Sequence, residues 1–164
     1  MYNKKEAMKE GKESIMEDQN PLLLESQICF KIYTLEREIT KLYRKLLEDL
    51  DMTYPQYLVM LLLWEKDAMT VKEIGKRLFL DSGTLTPMLK RMETNGIIER
   101  KRSAKDERSV IISLTNKGKE LKEQAECIPS KLVEDMSMDN GELTMLNKTL
   151  TNMLYRLQGQ TTSN

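Results

Sequence analysis

Residues 70 to 114 read TVKEIGKRLFLDSGTLTPMLKRMETNGIIERKRSAKDERSVIISL, and the order of their elements is the strongest structural signal in the chain. Thr70 and Glu73 form a capping box, which predicts a short helix to about Phe79. Asp81-Ser82 then caps a second helix, and Asn95-Gly96 supplies a left-handed stop that ends it.

A two-stranded ribbon follows these two helices directly. Ile97 to Lys101 and Ser109 to Leu114 are β-type runs, and the polar Ser-Ala-Lys-Asp-Glu-Arg segment between them predicts a hairpin. Two short helices joined by a tight turn and followed at once by a ribbon indicate a winged helix-turn-helix.

Both flanks of this stretch predict helices. On the N-terminal side, Asn20-Pro21 is typical of a helix start, and apolar residues at helical spacing predict one helix over roughly 22 to 49, or ~40 Å. Those residues are Ile28, Ile32, Leu35, Ile39, Leu42, Leu46 and Leu50. A capping box at Thr53 and Gln56 opens a buried helix to about Glu65.

On the C-terminal side, Thr115 caps a fifth helix that Pro129 either bends or interrupts. A last amphipathic helix starts at Asp139 to Glu142 and ends near Leu157. The predicted fold class is mainly α with a small β-hairpin: a winged helix-turn-helix domain plus long N- and C-terminal dimerisation helices.

The predicted organisation has three parts. Residues 1–20 form a polar N-terminal arm, 21–52 and 115–160 form a helical dimerisation region, and 53–114 form the winged helix-turn-helix DNA-binding domain.

Composition excludes most enzyme classes. The 164-residue chain has no histidine, which removes His-based triads and mixed Cys/His zinc sites, and its two cysteines cannot form a four-thiolate cage. The seven glycines are scattered, so neither a P-loop nor a dinucleotide-binding fingerprint can be formed. We therefore expect no catalytic residue, no metal, no cofactor and no enzymatic activity.

The apolar run from Tyr57 to Trp64 is too short to span a membrane, and the first twenty residues lack the apolar stretch of a signal peptide. We expect a cytoplasmic protein without a membrane partner. Cys29 and Cys127 are expected to be free thiols, because the cytosol keeps thiols reduced.

Positive charge is concentrated locally. Lys+Arg and Asp+Glu are equal at 26 each, yet residues 70 to 114 hold ten basic and six acidic residues. A neutral protein that binds DNA gathers its cations at the groove-reading element in this way, so double-stranded DNA is the expected partner. Lys72 and Lys76 on the third helix are expected to be ordinary solvated surface.

The fourth helix has two distinct faces. One stripe is apolar and is expected to be core: Leu85, Met88, Leu89 and Met92. The other face is polar: Ser82, Thr84, Thr86, Lys90, Arg91 and Thr94. Short hydroxyls at a helix N-terminus beside a Lys-Arg pair suit phosphate and base-edge contacts in a major groove.

Asp106 and Arg108 lie two residues apart at the hairpin tip, on one side of a strand if the pleat continues through them. An arginine on a ribbon tip can enter a minor groove, with the carboxylate holding it extended. The two residues fit a surface ion pair of little consequence equally well.

Cys29 lies about two turns into the predicted first helix, beyond the first turn where the helix dipole acts. Tyr33 is one turn further along the same face. Tyr43 is fourteen residues from Cys29, ~21 Å along a helix, so these two residues can meet only across a dimer. A lone cysteine is most often a small buried hydrophobe, and a long apolar helix makes a homodimer expected.

The segments DSGTLTPMLKRME (81–93), Lys105-Asp-Glu-Arg108 before a strand, Cys29-Phe-x-x-Tyr33 and Tyr54-Pro-Gln-Tyr57 closely resemble the MarR family of bacterial regulators. Within that family they are similar to the organic hydroperoxide resistance subgroup. The resemblance covers roughly residues 22 to 157.

This resemblance implies roles position by position. The fourth helix would be the recognition helix, with Ser82, Thr84, Lys90 and Arg91 towards DNA, and Arg108 would be the wing arginine beside Asp106. Cys29 would be the peroxide-sensing thiol, bonded to Tyr43 and Tyr54 of the partner subunit, and Tyr33 would line its pocket.

The resulting hypothesis is a repressor that occupies a palindromic operator as a homodimer and releases it when an organic hydroperoxide oxidises Cys29. Members with one sensing cysteine need an external low-molecular-weight thiol, whereas a two-cysteine class uses a resolving cysteine in the fifth helix. Cys127 lies in that predicted helix, and we favour the one-cysteine mechanism with Cys127 as a bystander.

Four alternatives stay open. The first two are a MarR-type repressor released by a small phenolic ligand and a broader thiol-based regulator of oxidative stress and virulence genes. From other classes come a thiol peroxidase, which would leave the wing unexplained, and a purely structural helical dimer, which predicts no salt-dependent DNA affinity.

Overall fold

A computed structural model describes residue 20, residues 22 to 103, residue 106 and residues 108 to 161. By its contacts the chain forms two compact units, 1–41 and 42–164. Within the described residues, no helix is both long and apolar enough to cross a membrane. The predicted arm at 1–20 lies outside the described residues except for Asn20.

Seven α-helices and three strands are described. They are α1 (Ile28–Leu46), α2 (Tyr54–Glu65), β1 (Met69–Thr70), α3 (Val71–Leu78), α4 (Ser82–Thr94), β2 (Ile98–Arg102), β3 (Val110–Leu114), α5 (Asn116–Ala125), α6 (Ile128–Asp135) and α7 (Asn140–Thr161). The mainly helical winged helix-turn-helix class is confirmed.

The first helix is shorter than predicted at both ends. A 3-10 turn over Leu24–Ser26 precedes it, and the extended backbone of Gln27 (φ −80°, ψ 113°) interrupts the helical ladder, so α1 begins at Ile28. A second 3-10 turn, Glu48–Leu50, follows it and closes on Asp51 in the left-handed region. Nineteen residues make α1 ~28 Å long. The predicted start at Asn20-Pro21 is therefore wrong, and Pro21 lies outside the described residues.

None of the side chains of α1 is buried within the chain. The apolar residues of α1 that lie in the first unit are more exposed than is usual in a helix of a globular protein. They include Ile28, Phe30, Ile32, Tyr33 and Leu35. Within its own unit, this helix has an apolar face that no other element of the described residues covers.

The second unit contains the buried core. The side chains of α2 are apolar on almost every side, and Tyr57, Val59, Met60 and Leu63 are almost fully buried. Gln56 accepts from the Thr53 backbone N–H at 2.8 Å, as the predicted capping box requires. The box at Thr70 and Glu73 is also confirmed, with N–H to side-chain distances of 2.7 and 3.2 Å.

The sheet has three antiparallel strands in the order β1-β3-β2. The predicted hairpin is confirmed within a residue at each strand start, with Ile98 opposite Leu114 and Arg102 opposite Val110. The third strand, β1, pairs Met69 with Ile112 and was not predicted. Two residues are too few to show a period, so its existence depends on β3 as a partner.

The predicted fifth helix is interrupted, not bent. It ends at Ala125, Glu126 and Cys127 form a turn, and α6 starts at Ile128 with Pro129 in its first turn. Proline is accommodated there because the first N–H groups of a helix have no intrahelical partner. Cys127 is the residue preceding α6, so the prediction that it lies within the fifth helix is wrong. The last helix runs to Thr161, four residues beyond the predicted end.

Gly118 allows α5 to pack against the segment that leaves α4. A Cβ at this position would overlap the carbonyl oxygen of Ile97 and would crowd Leu114. Gly118 is buried, and its own carbonyl accepts a hydrogen bond from Trp64 Nε1 at 2.9 Å. The absence of a side chain is what permits this approach.

We expect Gly118→Ala to destabilise the fold by about 1–3 kcal/mol, because the added methyl group must displace backbone and not a flexible side chain. Gly159→Ala on α7 is the matched control, since nothing lies within 4 Å of a Cβ there. Urea unfolding followed by circular dichroism measures both. Equal stability of Gly118→Ala and the wild type would contradict the close packing.

Candidate nucleic-acid interface and thiol site

A groove of about 560 Å³ lies between α3, the start of α4 and the hairpin. Its cationic lining residues come from three separate elements: Lys72, Lys76, Arg100 and Arg108. Ser82 and Thr86 of α4 line the same groove. The predicted recognition helix and the wing arginine therefore border one basic concave surface.

Asp81 fixes the N-terminus of α4. Its carboxylate accepts from the Thr84 N–H at 3.0 Å and from the Thr84 hydroxyl at 2.9 Å. These two hydrogen bonds, the backbone one first, lower the pKa of Asp81, so the cap is anionic at neutral pH. The Thr84 hydroxyl is therefore already engaged within the helix cap.

The two faces predicted for α4 are confirmed. Leu85, Leu89 and Met92 are almost fully buried and Met88 packs against them. The polar residues are exposed except Thr86, which is half-buried and donates its hydroxyl to the Ser82 carbonyl at 2.7 Å.

The polar residues of α4 divide into two groups by their spacing. Ser82, Thr86 and Lys90 recur every four residues, and the first two line the groove. Thr84 and Arg91 are seven residues apart and follow the opposite edge of the exposed surface. The site prediction on α4 thus describes both edges of the exposed face.

Asp106 organises the wing turn through the backbone. Its carboxylate accepts from the Arg108 N–H at 3.1 Å and from the Ser109 hydroxyl at 2.6 Å, and its carbonyl accepts from the Ser109 N–H at 2.9 Å. The Ser109 hydroxyl, and secondly the Arg108 N–H, lower the pKa of Asp106.

This geometry lacks the side-chain contact that both readings of the Asp106 and Arg108 pair assumed, whereas entry of Arg108 into a minor groove stays a prediction. The two residues lie in the turn before β3, not in a pleated strand. Among the described residues, the ion pairs do not include one between the Asp106 carboxylate and the Arg108 guanidinium. Asp106 shapes the backbone that carries Arg108, and the Lys105 and Glu107 of the predicted tip lie outside the described residues.

Sequence reasoning missed three groove residues. Lys72 and Lys76 were expected to be solvated surface and both are exposed, but their spacing of four on α3 also places both along the groove. Arg100 on β2 is the third, with a side chain only 20% exposed and Nη1 3.5 Å from Glu93 Oε2. The four-residue spacing could have predicted that both lysines lie on one face of α3. The position of Arg100 at the groove could be known only from the strand register.

A cluster of aromatic rings lies beside α2. Tyr43 and Tyr54 stack with centroids 4.2 Å apart, Tyr57 lies 5.9 Å from Tyr43, and Trp64 meets Tyr57 edge-on at 6.2 Å. Burial, and secondarily the phenols of Tyr54 and Tyr57, raises the pKa of Tyr43 to about 12. Burial also raises the pKa of Tyr57, with smaller effects of Tyr54 and Cys127. Both phenols are protonated at neutral pH and can donate hydrogen bonds.

Cys29 is the second residue of α1 and is exposed. The expectation that it lies two turns into the helix is wrong, because α1 starts at Ile28. Cys29 therefore lies in the first turn of α1, where backbone N–H groups have no intrahelical partner. Tyr33, one turn along, is exposed, and its phenol oxygen accepts from Arg37 Nη1 at 3.4 Å.

Cys127 is an exposed free thiol, and its Sγ–H donates to the Gln124 carbonyl at 3.6 Å. No group of three or more His, Cys, Asp or Glu residues that could hold a metal ion occurs in the described part of the chain.

A winged helix-turn-helix with its cations gathered beside the second helix of the motif is the arrangement of a DNA-binding transcriptional regulator. The family model described as transcriptional regulator SarA/Rot matches residues 41–125. The organic hydroperoxide resistance transcriptional regulator of Bacillus subtilis (strain 168) is 53% identical over 134 residues, which are 82% of this chain and 91% of that protein. The chain belongs to the MarR/SarA family of transcriptional regulators.

Solved structures agree with this class. Reduced AbfR bound to DNA superposes with a TM-score of 0.70 at 39% identity, over 82% of this chain and 94% of AbfR, a protein of Staphylococcus epidermidis. AbfR has also been solved in an overoxidised form bound to DNA and in a disulfide form. A mutant of MarR from E. coli complexed with operator DNA gives a TM-score of 0.68 at 26% identity, over 75% of this chain and 90% of MarR. The predicted regulatory class, as opposed to an enzyme, is confirmed by the family.

The raised pKa of Tyr43 predicts a specific pH dependence of stability. A phenol with a pKa of about 12 when folded and 10.0 when unfolded binds more protons in the folded state, so stability decreases as the pH rises through this range. Tyr43→Phe should make the free energy of unfolding less dependent on pH between these values. Tyr155→Phe on α7 is the control. Urea unfolding at several alkaline pH values measures the slope, and equal slopes for Tyr43→Phe and the wild type would contradict the assignment.

Proposed function

We propose that this chain is a homodimeric cytoplasmic repressor that binds a palindromic operator and releases it when an organic hydroperoxide oxidises Cys29. The observation that carries the DNA-binding half is the basic groove, where Lys72, Lys76, Arg100 and Arg108 converge beside the start of α4. The thiol half rests on the position of Cys29 in the first turn of α1 and on the protonated phenol of Tyr43, which stacks on Tyr54.

On DNA, α4 would lie in a major groove, with Ser82, Thr84, Thr86, Lys90 and Arg91 contacting base edges and phosphates. Arg108 would enter the adjacent minor groove, where the negative potential attracts an arginine. Asp106 would act by fixing the turn that presents Arg108. Two such domains at the spacing of successive major grooves, about 34 Å, would read a palindrome.

The homodimer is supported by apolar surface in two places. The apolar face of α1 has no cover within its own unit. In the second unit α7 exposes Met145, Leu150, Leu154 and Leu157. Apolar patches on this scale mark protein interfaces, and a second copy of the chain is the simplest partner for both.

The sensing reaction is a two-electron oxidation of sulfur. The Cys29 thiolate attacks the distal oxygen of the hydroperoxide, the O–O bond breaks, and the alkoxide leaves with a proton as the alcohol, which gives a sulfenic acid. A low-molecular-weight thiol then condenses with the sulfenic acid, releases water and leaves a mixed disulfide. In this proposal Cys127 takes no part.

Tyr43 and Tyr54 of the partner subunit would hold the reduced thiolate by donating hydrogen bonds to it. Tyr33 would line the pocket beside the sulfur. Oxidation converts an acceptor of two phenolic hydrogen bonds into a bulkier neutral group, so the dimer would rearrange and the two reading domains would no longer match the operator.

One further observation favours a second candidate, release by a small aromatic ligand. A cavity of about 290 Å³ is lined by Tyr57, Leu61, Trp64 and Pro129 among others, and its surface is mostly apolar. Apolar pockets with a few polar groups are typical small-molecule sites. A phenolic ligand that releases DNA from a Cys29→Ser variant would support this alternative. The set of bound promoters separates a dedicated peroxide regulator from a broader regulator of oxidative stress and virulence genes.

We expect Arg108→Gln to weaken operator binding by roughly tenfold and to reduce the slope of log affinity against log salt by about 1, because one cationic contact with DNA is lost. Lys148→Gln on α7 is the matched control and should change neither quantity. Fluorescence anisotropy with labelled operator DNA at several salt concentrations gives both values. An unchanged salt slope for Arg108→Gln would exclude this residue from the interface.

The redox half is tested with DNA from upstream of the protein's own gene, titrated with cumene hydroperoxide. We expect wild type and Cys127→Ser to release the DNA, and Cys29→Ser to stay bound, because only Cys29 lies at the proposed sensing position. Gel shift at matched protein concentrations measures the bound fraction. Release of Cys29→Ser, or retention of the wild type, would overturn peroxide sensing by this residue.

A further inference from the structure

Trp64 joins the tyrosine cluster to α5. Its ring meets Tyr57 edge-on at 6.2 Å, and Tyr57 in turn lies 5.9 Å from Tyr43. The same indole donates its Nε1–H to the Gly118 carbonyl of α5 at 2.9 Å. One side chain therefore contacts the aromatic cluster and holds a backbone atom fifty-four residues away.

The start of α5 holds the end of the recognition helix. The Thr115 hydroxyl donates to the Gly96 carbonyl at 2.7 Å, and Lys117 Nζ donates to the Asn95 carbonyl at 3.0 Å. The Thr115 N–H donates to the Ile97 carbonyl at 3.2 Å. These three carbonyls directly follow α4, so a displacement of α5 changes the support of α4 at its C-terminal end.

We propose that Trp64 is the positioning residue through which the Tyr43, Tyr54 and Tyr57 cluster controls the placement of α4. This inference rests on the proposed function, since it names the route by which loss of the tyrosine bonds at Cys29 reaches the DNA-reading helix. When the phenols change position, the edge-on contact moves the indole, and the hydrogen bond to Gly118 moves α5 with it.

Close packing makes the contact between α5 and the segment after α4 rigid. Gly118 lies against the Ile97 carbonyl with no room for a methyl group, so α5 cannot shift without displacing the backbone that follows α4. Tightly packed interfaces respond to small shifts by moving between discrete arrangements and not by gradual deformation. The indole supplies the hydrogen-bonded link between the cluster and this contact.

The native protein provides the first test, because Trp64 is the single tryptophan of the chain. Cumene hydroperoxide should shift the emission of Trp64 at the rate at which operator DNA is released. Cys29→Ser should show neither change. Release of DNA from the wild type without any change in tryptophan emission would overturn the proposal.

Trp64→Phe keeps a ring against Tyr57 and removes the donor to Gly118. The Kd of its reduced form for operator DNA should lie within about twofold of the wild-type value. The ratio of the Kd of the oxidised form to that of the reduced form should decrease at least fivefold, because coupling between two sites typically changes affinity by about fivefold or more. Lys148→Gln on α7, which is also the control for operator binding, should keep the wild-type ratio. An unchanged ratio for Trp64→Phe would overturn the proposal.

Lys117→Met provides a second variant at the other end of the route, in case Trp64→Phe does not fold. It removes the contact with the Asn95 carbonyl and should also lower the ratio of the two Kd values, whereas an unchanged ratio counts against the route. Retention of the oxidised wild-type protein on DNA would refute the proposed function itself. Equal release of the wild type and Trp64→Phe would refute only the role proposed for Trp64.

Discussion

The close packing of α5 against the segment that leaves α4 is the contact on which the DNA-reading end of the structure depends. Gly118 makes this packing possible, and the Ile97 carbonyl, which a Cβ there would overlap, also accepts from the Thr115 N–H. Ile97 leads directly into β2, so the same contact fixes where the hairpin leaves the helix. A recognition helix is useful only if its angle to the wing is constant, because both must fit one stretch of duplex. Here that angle is fixed by the packing of Gly118 against the Ile97 carbonyl, a backbone contact that does not involve the exposed face of α4.

The distribution of charge follows from this arrangement. With 26 basic and 26 acidic residues the protein has no net field to attract DNA, so affinity must come from local convergence. Cations from α3, β2 and the wing turn meet at one groove although they are far apart in sequence. Two anionic groups nearby, Asp81 and Asp106, accept hydrogen bonds from backbone N–H groups and hydroxyls. Asp81 fixes the start of α4, and Asp106 fixes the turn that bears Arg108. Local acids in this region therefore support the basic surface structurally.

The parts of the fold that were predictable from sequence are those encoded locally. Helix caps act within four residues of the chain: the capping boxes at Thr53 and Thr70, the Asp81 cap and the Gly96 stop. The ends of the helices that begin or end at these caps were predicted within about one residue. The errors occurred where the outcome depends on backbone or partner geometry. The start of α1 is set by the extended backbone of Gln27, a conformation that the pattern of side chains does not predict. Likewise, β1 exists through its pairing with β3, and Arg100 reaches the groove through strand register. Asp106 was assigned to the right turn, but its partners are a backbone N–H and a hydroxyl.

The revised start of α1 changes the chemistry available to the proposed sensor. The sequence predicted Cys29 two turns into a helix, whereas α1 starts at Ile28 and Cys29 lies in its first turn, where backbone N–H groups have no intrahelical partner. These N–H groups belong to α1 itself, whereas the proposed phenols belong to the partner subunit. Burial keeps the Tyr43 phenol protonated at neutral pH, so its hydroxyl is available as a hydrogen-bond donor. The proposed sensor would be complete only in the dimer, and loss of the thiolate would remove an interaction between subunits. In the proposed mechanism, oxidation of one sulfur atom would alter a contact between subunits and, through that contact, the spacing of the two DNA-reading domains.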